Sequence, residues 1–170
     1  MADAREDSDA ERDADARALA SVVRIRILRL CLDRALTNKE IAERLGLPPA
    51  NTYHHVRTLA GRGFLAAEPE RSGARGAREV PYRATGRSWN TSLGPSGNQI
   101  LIQTFLEEVA LADPEKVDTM RVGLRLDEAS REEFETRLVG LLKEFRAREP
   151  DPDGTPLSVF IALHEDTGRL

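Results

Sequence analysis

Apolar residues fall along this 170-residue chain in helical and alternating rhythms that change from segment to segment. The run SVVRIRILRLCLDRA, residues 21–35, fits two patterns: Val23, Arg24, Ile25, Arg26 and Ile27 alternate as in a strand, whereas Val23, Ile27, Leu30 and Cys31, like Ile25, Leu28 and Leu32, share helical faces. Its length and its lack of a turn residue decide for helix. Ahead of it, alanine content predicts a helix over about residues 10–20, and residues 1–9 offer so little to bury that they read as an acidic disordered tail. Further on, Ile41 and Leu45, then Thr52, Val56 and Leu59, recur at helical spacing. Residues 64–68 and 79–84 are extended and flank a loop rich in Gly and Arg, the pattern of a β-hairpin with a long tip.

The C-terminal half changes rhythm. SLGPSGN, residues 92–98, is turn-rich and marks a candidate domain boundary. Residues 100–111 form an apolar helix through Leu101, Phe105 and Leu111, widened by Ile102, Leu106 and Val109 and ended by Asp113-Pro114. Met120, Val122, Leu124 and Leu126 then alternate with Arg121, Gly123 and Arg125 as a half-buried strand. Residues 128–148 are an amphipathic helix with Phe134, Leu138, Leu141, Leu142 and Phe145 on one face, and Leu157, Val159, Ile161 and Leu163 give a second strand. The expected fold is α+β: a three-helix core with a β-hairpin over residues 10–91, a helix over 98–113, and a small strand-helix-strand α/β unit over 118–166.

Within the first region, residues 37–65 (TNKEIAERLGLPPANTYHHVRTLAGRGFL) read as a winged helix-turn-helix. Thr37 can cap a helix and Glu40 stands where a capping box needs a carboxylate. Gly46 supplies the left-handed turn, and Pro49 suits the first turn of the next helix, where its missing N–H is not needed. In that helix, residues 49–62, Thr52, Val56 and Leu59 face inward, which turns Ala50, Asn51, Tyr53, His54 and Arg57 outward, the face offered to a DNA major groove. Asn51 suits adenine and Arg57 phosphate or guanine; exposed Tyr53 would be wasteful without a partner. His55 adjoins buried Val56, which favours a phosphate contact or a structural hydrogen bond over base readout. Asn38 and Pro49 at the helix starts join the candidate DNA-binding set, as do Arg71, Arg75, Arg78 and Arg83 of the wing, where Gly73 and Gly76 give freedom to the tip.

Charge sharpens this reading. The net charge of −4 is unpromising for a nucleic-acid binder, but it is unevenly spread. Residues 1–16 carry net −5 and residues 91–170 net −7, whereas residues 17–90 carry fourteen basic against six acidic residues, net +8. The basic segment is the one that holds the helix-turn-helix, where counterion release would drive association. No stretch approaches the ~20 apolar residues of a membrane helix. The N-terminus lacks the basic start and apolar run of a signal peptide, so the expected location is cytoplasmic, with no membrane partner.

Residues 17–89 resemble the winged helix-turn-helix domain of the ArsR-like bacterial repressors. The resemblance is carried by residues 23–32 (VRIRILRLCL), Glu40-Ile41-Ala42 with Leu45-Gly46-Leu47, Tyr53-His54-His55-Val56 with Leu59, Gly63-Phe64-Leu65, and a wing ending in Tyr82-Arg83. It implies a homodimeric transcriptional regulator, expected to be a repressor, that binds inverted-repeat operators in double-stranded DNA and releases them on binding an effector. The dimer would form through the helices before and after the winged domain, about residues 10–20 and 100–111. Pro48 departs from the family's polar N-cap. Metal-sensing members use cysteine pairs or His and carboxylate clusters on the dimer helix; with one cysteine and no histidine in residues 100–111, metal sensing is not expected. The effector would then be an unknown small molecule.

Other chemistry finds little support. Cys31, the only cysteine, excludes an intramolecular disulfide and reads as a buried thiol rather than a redox sensor. His54 and His55 diverge by about 100° around a helix and make no metal pair. Asp151-Pro-Asp-Gly-Thr155 resembles a phosphatase nucleophile motif but follows a charged helix end, so it reads as a turn; it fails as a calcium loop because no Glu closes it. No triad, P-loop or dinucleotide glycine pattern is present, so no enzyme activity and no cofactor are expected. The alternative to a DNA-binding regulator is a winged-helix protein-interaction module whose basic face is incidental.

Overall fold

The computed structural model describes residues 3–73 and 77–169, residues 3–8 as backbone only. Its element order is α1 (Asp3–Leu19), α2 (Val22–Leu30), β1 (Leu36–Thr37), α3 (Asn38–Leu45), α4 (Pro49–Gly61), β2 (Leu65–Ala67), β3 (Arg71–Ser72), β4 (Arg78–Glu79), β5 (Pro81–Ala84), α5 (Gly94–Val109) and α6 (Glu128–Arg146), with short 3-10 turns at Arg87–Asn90, Pro114–Lys116 and Thr167–Arg169. The chain divides into two compact units, Met1–Ala112 and Asp113–Leu170.

In the first unit the helical faces read from the sequence converge. α2 buries Ile25, Ile27 and Leu28, with Cys31 just beyond its end; α3 buries Ile41 and Ala42; α4 buries Thr52, Val56 and Leu59. Leu19 of α1, Leu36, Phe64 and Leu65 complete the same core. The helical reading of residues 21–35 therefore holds, although Leu32 lies outside the core and is exposed. A three-stranded antiparallel sheet, order β1-β5-β2, closes one side, with Leu36 opposite Tyr82, and Leu65 opposite Ala84. The ladder β3-β4 extends the hairpin, Arg71 facing Glu79 and Ser72 facing Arg78. The two residues of β1 carry no strand signature of their own; they pair because the chain must pass the wing edge to enter α3.

Three expectations change. Helix α1 begins at Asp3, so the tail expected to be disordered over residues 1–9 is helical from its third residue, continuous with the helix expected from about residue 10. The segment 92–98 is no boundary. Gly94 (φ +64°) turns the chain and Pro95 sits in the first turn of α5, which packs on α1 and α2 as part of the first unit.

The third change lies in the second unit. Asp127 caps α6 by accepting the Ser130 N–H at 2.8 Å, a bond that holds the Asp127 carboxyl below its usual range. The helix thus forms where the sequence places it. Among the described residues, however, neither flanking segment, 120–126 nor 157–163, is a β-strand. Alternation encodes a half-buried strand, but a strand also needs a ladder partner in register. Asp151–Thr155 is a turn, in which Asp151 accepts the Asp153 and Gly154 N–H groups.

Candidate nucleic-acid interface

The helix-turn-helix is held by short-range chemistry. Thr37 and Glu40 form a complete capping box: the Glu40 N–H donates to Thr37 Oγ1 at 3.2 Å, and the Thr37 N–H donates to Glu40 Oε2 at 2.7 Å. Gly46, with φ +64°, ends α3 in the left-handed conformation that costs glycine little. Leu47 N–H then returns to the Ala42 carbonyl at 3.0 Å, fixing the turn. Pro48 takes the N-cap position of α4 without a side-chain cap; its carbonyl accepts from the Thr52 N–H and hydroxyl instead.

Each candidate side chain of α4 can now be placed. Ala50, Asn51, Tyr53, His54 and Arg57 are exposed, on the face opposite Thr52, Val56 and Leu59. The Arg57 guanidinium lies 6.0 Å from the Tyr53 ring centroid, so the two side chains share one edge of the face. Pro49 is exposed at the helix start, where no side chain occupies the first-turn N–H groups. His55 is not part of this face. It is half-buried, its Nδ1 is enclosed without a hydrogen-bond partner, and burial, aided by the charges of Arg24 and His54, pushes its pKa down. Asn38 is likewise half-buried, and its Nδ2 donates to the Pro49 carbonyl at 2.8 Å, joining the starts of α3 and α4.

The wing arginines are less open than their spacing implies. Arg71 reaches Glu40 Oε2 at 2.6 Å, so one carboxylate both closes the capping box and holds β3. The Thr37 N–H first, and then the Thr37 hydroxyl and Arg71, keep the Glu40 carboxyl below the usual range. Arg83 pairs with Glu68 at 2.5 Å and donates to the Asp33 carbonyl, which places it at the root of the wing. Arg78 pairs with Glu70 at 3.4 Å while its side chain remains 85% exposed. Arg75 and Gly76 lie outside the described residues.

The sequence reading missed a cluster behind this face. Buried Asp15 of α1 pairs with Arg62, at the end of α4, and with Arg87, after the wing. Arg87 also stacks over buried Phe64 at 5.3 Å. These residues lie 47 and 72 positions apart, and no local pattern announces such a pairing. Lys39 and Arg44 are two further exposed cations, on α3. Cys31 is fully buried, and burial pushes its thiol up to about 11, the state of an inert core residue. Among the described residues, no three His, Cys, Asp or Glu side chains converge to hold a metal, and no helix is long and apolar enough to cross a membrane.

Residues 32–69 match the family model of the IclR helix-turn-helix domain. No curated protein matches the chain. Similar solved structures include an ArsR-like transcriptional regulator from Rhodococcus sp. RHA1, 18% identical, with 82% of this chain and 94% of that chain covered and a TM-score of 0.41. Reduced HlyU from Vibrio cholerae N16961 is 24% identical over 60% of this chain and 94% of its own, with a TM-score of 0.40. The homodimeric winged helix-turn-helix DNA-binding domain of Mb0332 from Mycobacterium bovis is 19% identical over 69% and 94%, with a TM-score of 0.40. The matched segment spans both helices of the motif and the first wing strand, so the helix-turn-helix of this chain is of the type found in DNA-binding transcription regulators.

Proposed function

We propose that this chain is a sequence-specific, homodimeric DNA-binding transcription regulator of the ArsR-like winged-helix type, acting as a repressor in a bacterial cytoplasm. The observation that carries the reading is α4 itself. Its apolar side is locked into the core, so the exposed set Ala50, Asn51, Tyr53, His54 and Arg57 is presented on a rigid helix with an uncapped N-terminus. Such a helix can enter a major groove, and the Ala50 N–H in its first turn is left for a phosphate, since Pro49 has none and the Asn51 N–H donates to the Pro48 carbonyl. Asn51, Tyr53 and Arg57 would read base edges. Asn38 supports the start of α4 through the Pro49 carbonyl, and His55 lies off the exposed face.

Arg78, with a long and exposed ion pair, is the described wing cation that most easily exchanges its carboxylate for a DNA phosphate, since such surface pairs contribute little. Arg75 is proposed to act beside it, and Arg71 and Arg83 to fix the wing. Dimerisation is proposed through α5, whose exposed Ile102 and Leu106 form a stripe at i, i+4 beside α1. Two half-sites would then lie ~10 bp apart or a multiple of it, as an inverted repeat. No reaction and no metal are assigned, and release would follow binding of a small-molecule effector.

Fluorescence polarisation against operator and random duplex at two salt concentrations tests the reading. Steep salt dependence with a preference for one sequence is expected. Weak, flat binding to every duplex would favour the protein-interaction alternative. Tyr53→Ala or Asn51→Ala should relax specificity by about 1–3 kcal/mol at the affected base, whereas Arg75→Ala should weaken all sequences alike and lower the salt slope by about 1.

A further inference from the structure

Of the described wing arginines, Arg78 and Arg83 pair with carboxylates of the wing itself, those of Glu70 and Glu68. Arg71 pairs instead with Glu40, 31 positions earlier on α3. Glu79, opposite Arg71 in the β3–β4 ladder, lays its carboxyl against Gly73. The Glu40–Arg71 bond therefore ties β3 to the first turn of α3. Both partners stand at the surface, Glu40 32% and Arg71 45% exposed.

Glu40 can part with this arginine without being orphaned. Its Oε2 also accepts from the Thr37 N–H at 2.7 Å and from the Thr37 hydroxyl at 3.0 Å, so two donors stay on the same oxygen when Arg71 leaves. The carboxylate also sits in the first turn of α3, where the helix dipole favours negative charge. For Arg71 the exchange is between like partners, because phosphate and carboxylate both present anionic oxygens that match a guanidinium fork. An exposed ion pair contributes little, so a DNA phosphate can displace the carboxylate at small cost.

We propose that Glu40 holds Arg71 in reserve: in the free protein its carboxylate occupies the guanidinium and fixes the wing, and on the duplex Arg71 exchanges that carboxylate for a backbone phosphate. The inference rests on the DNA-binding reading of α4 and makes Glu40 a positioning residue that acts through Arg71. A phosphate contact carries no sequence information. Glu40 therefore competes with every duplex alike, lowering affinity across sequences and leaving base readout to α4.

Fluorescence polarisation of the 170-residue chain against a random-sequence duplex over a salt series tests it, with Glu40→Gln, Arg71→Ala and the double variant measured alongside. Gln at this position still completes a capping box, so Glu40→Gln releases Arg71 while α3 keeps its start. Thermal unfolding at neutral pH checks that each variant is folded at the titration temperature. Glu40→Gln is expected to bind about two- to fivefold tighter at low salt, the fold-change that an exposed ion pair is worth. Its salt slope should steepen by up to about 0.9, the equivalent of one phosphate. In the Arg71→Ala background the same substitution should change both far less. An equal gain in both backgrounds would overturn the proposal, because the effect would then be the loss of one negative charge and not the release of Arg71. No gain in either background, with a wild type whose binding depends steeply on salt, would overturn it and leave DNA binding standing. A weak, flat wild-type titration would remove the DNA-binding reading itself, and this proposal with it.

Discussion

In Met1–Ala112, Ile27, Cys31, Ile41, Val56 and Leu59 are fully buried, whereas in Asp113–Leu170 side chains of the same types, among them Leu141, Leu157 and Val159, are more than half exposed. Composition does not separate the two units; the number of elements does. Faces of four helices and a small sheet meet in the first unit, so each apolar stripe finds another stripe. The second unit has one helix and two extended segments, too few elements to cover the faces they create. An apolar pattern therefore specifies a core only where the same chain supplies the opposing surface.

Substitutions across the two units sharpen this contrast. The largest effect is expected at Leu59→Ala in the closed core, a loss of about 2–5 kcal/mol in chemical denaturation. Asp15→Ala should follow at about 1–3 kcal/mol, below the cost of breaking a fully buried pair because Arg62 and Arg87 remain partly open to water. Thr37→Ala removes one half of the capping box and should cost about 1 kcal/mol. The Glu40 carboxyl is depressed on folding, so its contribution is present above the unfolded carboxylate range and lost as pH falls through the folded value. The stability advantage of the wild type over Glu40→Gln should accordingly vanish in acid, measured by thermal unfolding over a pH series.

The smallest effect is expected at Leu141→Ala in dilute protein, under about 1 kcal/mol, because a half-exposed side chain gains little from folding. Were Leu141→Ala as costly as Leu59→Ala at the lowest concentration, the contrast between a closed and an open unit would fail.

What the sequence made legible follows the range of the interactions involved. The capping box, the Gly46 turn and the inward face of α4 are set by residues within a few positions of one another, and each forms where the pattern places it. The Asp15–Arg62–Arg87 cluster joins three distant segments, and the ion pairs that hold Arg71 and Arg83 depend on how the wing lies beside α3 and β2. Spacing along the chain contains neither. His55 shows the same limit at close range: adjacent to buried Val56, it turns partly inward because α4 packs beside Arg24 of α2. The strands expected around α6 show a different one, since period-two alternation records which side chains seek burial and not whether a neighbouring strand exists to pair with.

The most direct test of the central claim is selection of bound DNA from a random duplex pool by the 170-residue chain, followed by the same selection with Asn51→Ala. The account predicts enrichment of an inverted repeat with half-sites about one helical turn apart or a multiple of it, and loss of preference at a defined position in each half-site in the variant. Recovery of unenriched DNA, or of the same motif with and without Asn51, Tyr53 and Arg57, would contradict it.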